Sequence, residues 1–584
     1  MVKSSSEETE NNNNNNEDRS KEVGDNVQHL TKIIESRIAK YDNGNLSSGE
    51  SRTKIGKMTE EESFFYEAVT RLSKLTEFPS ASSSSNQQTS SVLQRAMVFL
   101  EEEFRIILED SVQDDVAAVK RDDGGALEES PPPEEEYQPY PPDVVTRMNR
   151  IANVMLSAGY ETECCQVYSI CRRNDFSKQM KKLEHEKIHT EDIQKTNWDS
   201  LEEEITKWVR VAKICSKILF PAERDLAEAV FSDHPMISRS LFSNLARAVV
   251  IQLLDFADAV AKTKRAAEKL FKFLHMYETI RDLIPAISDG GCSDDSEHEI
   301  KSEILAVGDR IGEASLNIFC DLENSIKNDI AARNPVPGGA VHPLTRYVIN
   351  YLKYACDFKT TLEQIFHKHA NPNSVRNGET SDTTARPTSL FSAQVQNIMD
   401  LLDANLEAKS KLYKDPALRH VFLMNNGRYI LQKIKGSPEI HQVMGDKSYR
   451  KRSTVVRQFH KNYQRETWSK VLQILSHEGL QHNGKVAIPA LKERFKTFSN
   501  MMDEIHKSQS TWVVNDEQLQ SELRVSISAV VIPAYRSFVA RFKHHLDGTK
   551  HVEKYVKYQP DDIETLIEGL FDGNHTSMSR IRKN

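Results

Sequence analysis

Helix breakers are scarce in this chain. Its 584 residues include 22 glycines and 20 prolines, gathered mostly in the gaps between periodic segments, which favours long helices over β architecture. No apolar run reaches the roughly 18 residues that a membrane span needs; the longest candidate, Val249 to Ala261, is interrupted by Asp255 and Asp258. The N-terminus, Met1-Val-Lys-Ser-Ser-Ser-Glu-Glu, lacks the apolar core of a secretion signal. The seven cysteines are odd in number and have no CxxC spacing, which fits reduced thiols in a cytosolic protein. Cys164, Cys165 and Cys171 read as helix-core residues rather than metal ligands.

Catalytic patterns are equally sparse. Gly479 to Lys485 has the spacing of a phosphate loop, but Val486 stands where a magnesium-binding hydroxyl belongs, and the stretch follows a helix rather than a strand. His477-Glu478 and His482 approach a zincin pattern, yet the histidines are five apart and Gly479 interrupts the helix. Two rings on one helical face need i, i+4 spacing. There is no Gly-x-Ser-x-Gly, kinase set or Rossmann fingerprint. The expectation is a non-enzymatic chain with no cofactor and no metal.

What the chain has is helical periodicity and unevenly placed charge. Hydrophobic residues make up 38% and charged residues 28%. A chain of this length exceeds a single core of about 250–300 residues. The net charge is −9, but Glu101 to Asp143 alone holds fifteen acidic and three basic residues. That segment therefore carries −12, and the remainder is a body of +3. Val27–Tyr41, Glu60–Leu75 and Ser91–Glu109 read as amphipathic helices, with Ser80–Ser91 as a serine-rich linker and Ser130–Pro142 as an acidic, proline-rich tether. Asp143 is placed to cap the first helix of the main body.

Near the middle, Asn334-Pro-Val-Pro-Gly-Gly-Ala-Val-His-Pro343 forms a stiff corner. Pro343 suits a first helical turn, and Leu344, Tyr347, Val348, Tyr351, Leu352, Ala355, Leu362 and Phe366 continue at helical spacing. Helices are expected again at Leu201–Phe220, Arg224–Phe231, Leu241–Lys262, Lys264–Leu274, Lys301–Ala332, Phe391–Leu412, Val421–Lys435, Glu439–Met444, Ser453–Ser476, Ala490–Gln509, Glu517–Phe542 and Asp561–Phe571. Ser288–Glu299 and His367–Ser389 read as loops.

Several of these stretches resemble one family. Pro335 to Phe366, the opening hairpin Asp143–Arg172, Leu270–Pro285, Tyr413–Ile430 with its Met-Asn-Asn-Gly-Arg-Tyr core, and Asp561–Phe571 are similar to the seventy-kilodalton subunit of the exocyst, the vesicle-tethering complex, in its land-plant branch. The resemblance spans roughly Asp143 to Phe571. It implies an all-α fold, an elongated rod of consecutively stacked antiparallel helical bundles. The expected division is a disordered segment 1–22, N-terminal helices and linkers 23–142, first bundles 143–333, a middle bundle 334–480 and a C-terminal bundle 481–584. The implied partners are other exocyst subunits, a phosphoinositide-containing plasma membrane bound peripherally, and small GTPases. Nucleic acid is not expected.

Between Ala534 and Tyr558, Arg536, Arg541, Lys543, Lys550, Lys554 and Lys557 stand against Asp547 and Glu553. Each basic residue near an anionic leaflet contributes on the order of 1 kcal/mol. The resemblance places phosphatidylinositol bisphosphate contacts on Lys554 and Lys557. A second run, Lys447 to Arg465, holds seven basic residues and no acid; within it Arg450, Lys451 and Arg452 form a possible lipid or partner surface. Trp198-Asp-Ser-Leu201 fits an aromatic-x-x-aliphatic ligand of autophagy adaptors, or a helix start with Ser200 and Glu203 as a capping box. The alternative function is accordingly a helical adaptor in autophagy- or immunity-related trafficking, acting outside the full complex.

Overall fold

The computed structural model describes residues 26–40, 60–76, 83–110, 139–183, 190–288, 295–329, 334–369, 389–482, 485–546 and 555–573. Regular structure among them is helical apart from a two-residue hairpin, Gln481–His482 with Lys485–Val486, and one isolated bridge between Val513 and Asp572. The chain divides into two compact units, Met1–Lys264 with His275–Ile311, and Arg265–Leu274 with Gly312–Asn584.

The first unit contains α1 (residues 26–40), α2 (Glu60–Thr76), α3 (Ser83–Glu109), α4 (Pro142–Ser157), α5 (Glu161–Lys182), α6 (Thr190–Lys195), α7 (Trp198–Ile214), α8 (Phe220–Val230) and α9 (Pro235–Ala261). The serine-rich stretch expected as a linker is helical from Ser83 onward. Helix α4 begins at Pro142, so Asp143 lies in its first turn rather than at its cap. The two helices expected between Leu201 and Phe231 are joined by a π turn, Cys215–Leu219. Pro221 has no N–H and its ring crowds the carbonyl four residues back, and the wider π turn just before it accommodates both. Trp208 is fully buried and donates to the Leu253 carbonyl at 3.0 Å.

A buried cluster of charges ties helices of this unit together. The Arg172 side chain is 2% exposed. It donates through both Nε and Nη2 to Glu223, and through Nη1 to Asp175 at 3.1 Å and the Tyr140 phenol at 2.8 Å. Tyr140 in turn donates to the Leu108 carbonyl at 2.6 Å, tying α3 to the start of α4. Burial pushes the Cys164 and Cys215 thiols up to about 12, which keeps them protonated core groups.

Helices α10 (Leu270–Ile287) and α11 (Asp295–Asn328) follow. The start of α11 takes in Asp295–Glu299, which the acidic composition had suggested as loop.

The second unit holds α12 (Pro343–Asp357), α13 (Lys359–His369), α14 (Leu390–Ser410), α15 (Pro416–Lys435), α16 (Pro438–Ile474), α17 (Ile488–Gln509), α18 (Glu517–Phe542) and α19 (Pro560–Glu568). The single helix expected from Pro343 to Phe366 breaks at Phe358. Tyr347, expected on its apolar face, is 44% exposed. The break expected after Met444 is present: α16 kinks at Gly445, whose φ of 75° and ψ of 155° are non-helical and whose φ only glycine adopts readily, and the second segment resumes earlier than the expected Ser453.

The proline–glycine corner is latched from two sides. Val513 N–H donates to the Gly338 carbonyl at 2.8 Å. The Asn425 amide donates to the Gly339 carbonyl at 2.7 Å and the Val513 carbonyl at 2.8 Å. Asn426 accepts from His342 N–H at 2.9 Å and from the Thr345 hydroxyl at 2.7 Å. Gly338 has φ +66°, and a Cβ there would lie 2.7 Å from Val513 Cγ2. Both the conformation and the close approach require glycine.

Helices Pro235–Ala261 and Glu517–Leu546 are long and apolar enough to cross a membrane by length and composition. Their apolar faces are core: Leu253, Ala257 and Val260 in one, and Leu523, Ile527 and Val531 in the other, are buried in protein.

Candidate lipid-facing surface

The C-terminal basic residues ride on an aromatic floor. Phe498 stacks on Tyr535 with centroids 4.5 Å apart, Phe495 meets Phe538 at 5.1 Å, and Phe538 meets Phe542 at 5.0 Å. The first two pairs pin α17 to α18 at geometries that aromatic rings favour, and the third extends the aromatic surface along α18. With its apolar side so committed, α18 leaves Arg536 and Arg541 exposed, and Lys543 is exposed in the 3-10 turn that follows. Arg536 lies 3.8 Å from Asp561, both side chains well solvated. Lys550 and Lys554 lie outside the described residues.

Residues 555–559 return across α17 and α18 as an extended strap. Val556 is buried, and the Tyr535 phenol donates to the Tyr558 carbonyl at 2.6 Å. Lys492 of α17 sits over the Tyr555 ring, 4.8 Å from its centroid. Lys557 therefore points outward: its side chain is 49% exposed, and Nζ lies 2.5 Å from Asp503 Oδ2. The Tyr558 phenol donates to the other oxygen of the same carboxylate. Partial burial acts to lower the Lys557 pKa, but Asp503 and Tyr558 outweigh it and hold the ammonium above its ordinary value. Lys557 is thus a charged, accessible group with one exposed counter-ion. Such a pair is worth at most about 1 kcal/mol and is screened by salt, so a multiply charged ligand can displace the carboxylate.

Asp503 and Lys492 were not legible as parts of this surface. Asp503 is 54 residues from Lys557 in sequence, and no local pattern links the two.

The second basic run is sorted by its helix. Arg450 and Lys451 are exposed. Arg452 is 11% exposed, with its guanidinium 2.5 Å from Asp403 and 3.7 Å from Asp400 of α14; it joins two helices instead of facing solvent. Trp198 is half-buried in the first turn of α7, and Leu201 is buried one turn on. The cap there is Asn197, which accepts from Ser200 N–H at 2.9 Å, in place of the expected Ser200–Glu203 box. The phosphate-loop look-alike overlaps the two-residue hairpin, and Arg494 donates to the carbonyls of Ile474, at the end of α16, and of Ser476 and Glu478 beyond it.

Residues 206–569, most of the chain, match the family model described as the C-terminal part of the Exo70 exocyst complex subunit. The chain belongs to the Exo70 family. It is 54% identical over 458 residues to exocyst complex component EXO70C1 of Arabidopsis thaliana, covering 76% of this chain and 69% of that protein. It is 53% identical over 444 residues to EXO70C2 of the same plant, covering 76% and 63%. Among solved structures it is similar to Exo70p of S. cerevisiae, with a TM-score of 0.57, 14% identity, and coverage of 94% of this chain and 99% of that one. That likeness shows a shared all-helical fold. As an exocyst subunit the chain is a non-enzymatic tethering protein whose partners are other exocyst subunits.

Proposed function

We infer that this chain tethers secretory vesicles at the plasma membrane by holding phosphatidylinositol bisphosphate with its C-terminal bundle, while other exocyst subunits engage its N-terminal helices. The observation that carries the reading is the exposed basic group of Arg541, Lys543 and Lys557 on a rigid aromatic floor, in a member of the Exo70 family. Lys550 and Lys554 belong to the same basic sequence and are part of the proposal. A surface of this kind supports reversible, peripheral recruitment from the cytoplasm: about 1 kcal/mol per basic residue gives a few kcal/mol in all, with no insertion. Small GTPases are proposed as further partners on the strength of family resemblance alone.

Flotation of the full chain with liposomes, with and without phosphatidylinositol bisphosphate, tests this. Lys554→Ala/Lys557→Ala removes about 2 kcal/mol by the same scale, and its affinity for the bisphosphate liposomes is expected to fall roughly thirtyfold. Equal flotation of wild type and variant would sink the reading. The adaptor alternative is separated by co-purification: recovery of other exocyst subunits with the full chain supports membership of the working complex, and recovery of none supports the adaptor.

A further inference from the structure

Helix α16 sends its basic residues in two directions. Toward α14 and α15 lie Arg452, held by Asp403 and Asp400, and Phe459, whose ring stacks on His420 with centroids 6.3 Å apart. On the outer side Lys447, Arg450, Arg457, Lys461 and Arg465 are all exposed. Their spacings of three, seven, four and four residues put them in one row, about 27 Å long at helical rise. No carboxylate lies on the helix between Asp446 and Glu466. Among the described residues, none of these five cations is paired with a carboxylate. Arg457 and Arg465 touch only neutral side chains of their own helix, Ser453 at 3.2 Å and Asn462 at 3.4 Å. Like charges three and four residues apart weaken a helix, so the row costs stability that nothing described within the chain returns.

We propose that this row docks an acidic α-helix of a partner protein, laid along α16 with carboxylates on one face. Charge complementarity sets the class: a facing helix repeats its glutamates at the same rise, so each meets one cation. A single-stranded nucleic acid needs exposed rings on which bases stack; Tyr463 is fully buried, Phe459 turns inward, and Tyr449 is half-buried against the His441 ring. A membrane contact gains from apolar or aromatic side chains beside the cations; Thr454 and Gln458, exposed within the row, are polar, and Val455, 42% exposed, lies off the row beside Arg452 and Phe459.

The test uses the full chain and a fluorescein-labelled alanine–glutamate peptide of about twenty residues with its glutamates on one helical face. Arg450→Glu/Arg457→Glu/Lys461→Glu is expected to weaken its binding at least about tenfold, and raising salt from about 50 to about 500 mM to weaken wild-type binding comparably. The triple variant should instead bind the matching alanine–lysine peptide more tightly than wild type does, a gain that misfolding cannot produce. Its flotation with bisphosphate liposomes should be unchanged, which keeps this surface distinct from the C-terminal one. Undiminished binding of the glutamate peptide by the triple variant would overturn the proposal. So would equal binding of a peptide with glutamates spread around all faces, or a loss confined to liposomes or RNA.

Discussion

Replacing Arg172 by methionine is expected to cost the first unit about 3–5 kcal/mol, the largest single effect in the molecule. The size follows from what stays behind. Glu223 and Asp175 are both buried, and the guanidinium is the shared cation of both. Methionine fills much of the same volume, so the loss is chiefly that of Glu223, a buried carboxylate stripped of both guanidinium bonds, with the Asp175 bond to Arg172 lost as well. The Tyr140 phenol also loses the donor that it accepts from. The companion variant Arg172→Met/Glu223→Leu should recover part of the loss, because a buried ion pair replaced whole by apolar groups is often neutral. Thermal unfolding followed by circular dichroism reads both. A single variant within about 1 kcal/mol of wild type would mean that water reaches the cluster.

The second large effect is expected at Asn426→Ala, about 2–4 kcal/mol against the second unit. Asn426 accepts from His342 N–H and from the Thr345 hydroxyl, and its own amide donates to the Phe422 carbonyl at 2.8 Å. Thr345 and Asn426 are fully buried. Alanine leaves the His342 N–H and the Thr345 hydroxyl without this acceptor, at about 1–3 kcal/mol for each buried group that finds no water. Because His342 is the cap residue of α12 and its ring accepts from Leu344 N–H, the start of that helix should fray as well. Hydrogen exchange would show protection lost first at Leu344 to Val348. Loss confined to α15 would contradict the latch.

This latch also marks where sequence reading stopped. The corner itself was legible, since prolines and paired glycines have few other uses. The pair Asn425-Asn426 was legible only as part of a family signature. Its work lies in hydrogen bonds across 81 to 88 residues, and nothing local announces them. Helix positions followed from periodicity, with α18 read at the bounds it has, Glu517–Phe542. Junctions were harder. Phe358 divides a pattern that looked continuous, while the kink at Gly445 falls where the pattern already broke after Met444. A three- to four-residue apolar rhythm survives a break when the next helix packs on the same core. Charge was legible as composition but not as direction: Arg450 and Arg452 are two residues apart, and one is exposed while the other is spent on Asp403.

Fixed positive charge on the C-terminal bundle is the claim on which the proposed membrane attachment rests, and Asp503→Asn tests it most directly. Asparagine keeps a hydrogen-bonding group for Lys557 and Tyr558 while removing the negative charge 2.5 Å from the ammonium. In a titration against vesicles containing phosphatidylinositol bisphosphate, the variant is expected to bind about fivefold more tightly, since one charge beside an anionic leaflet is worth about 1 kcal/mol. A damaged fold cannot yield a gain of this kind. Binding unchanged or weakened, with the thermal transition intact, would contradict a lipid-facing role for Lys557.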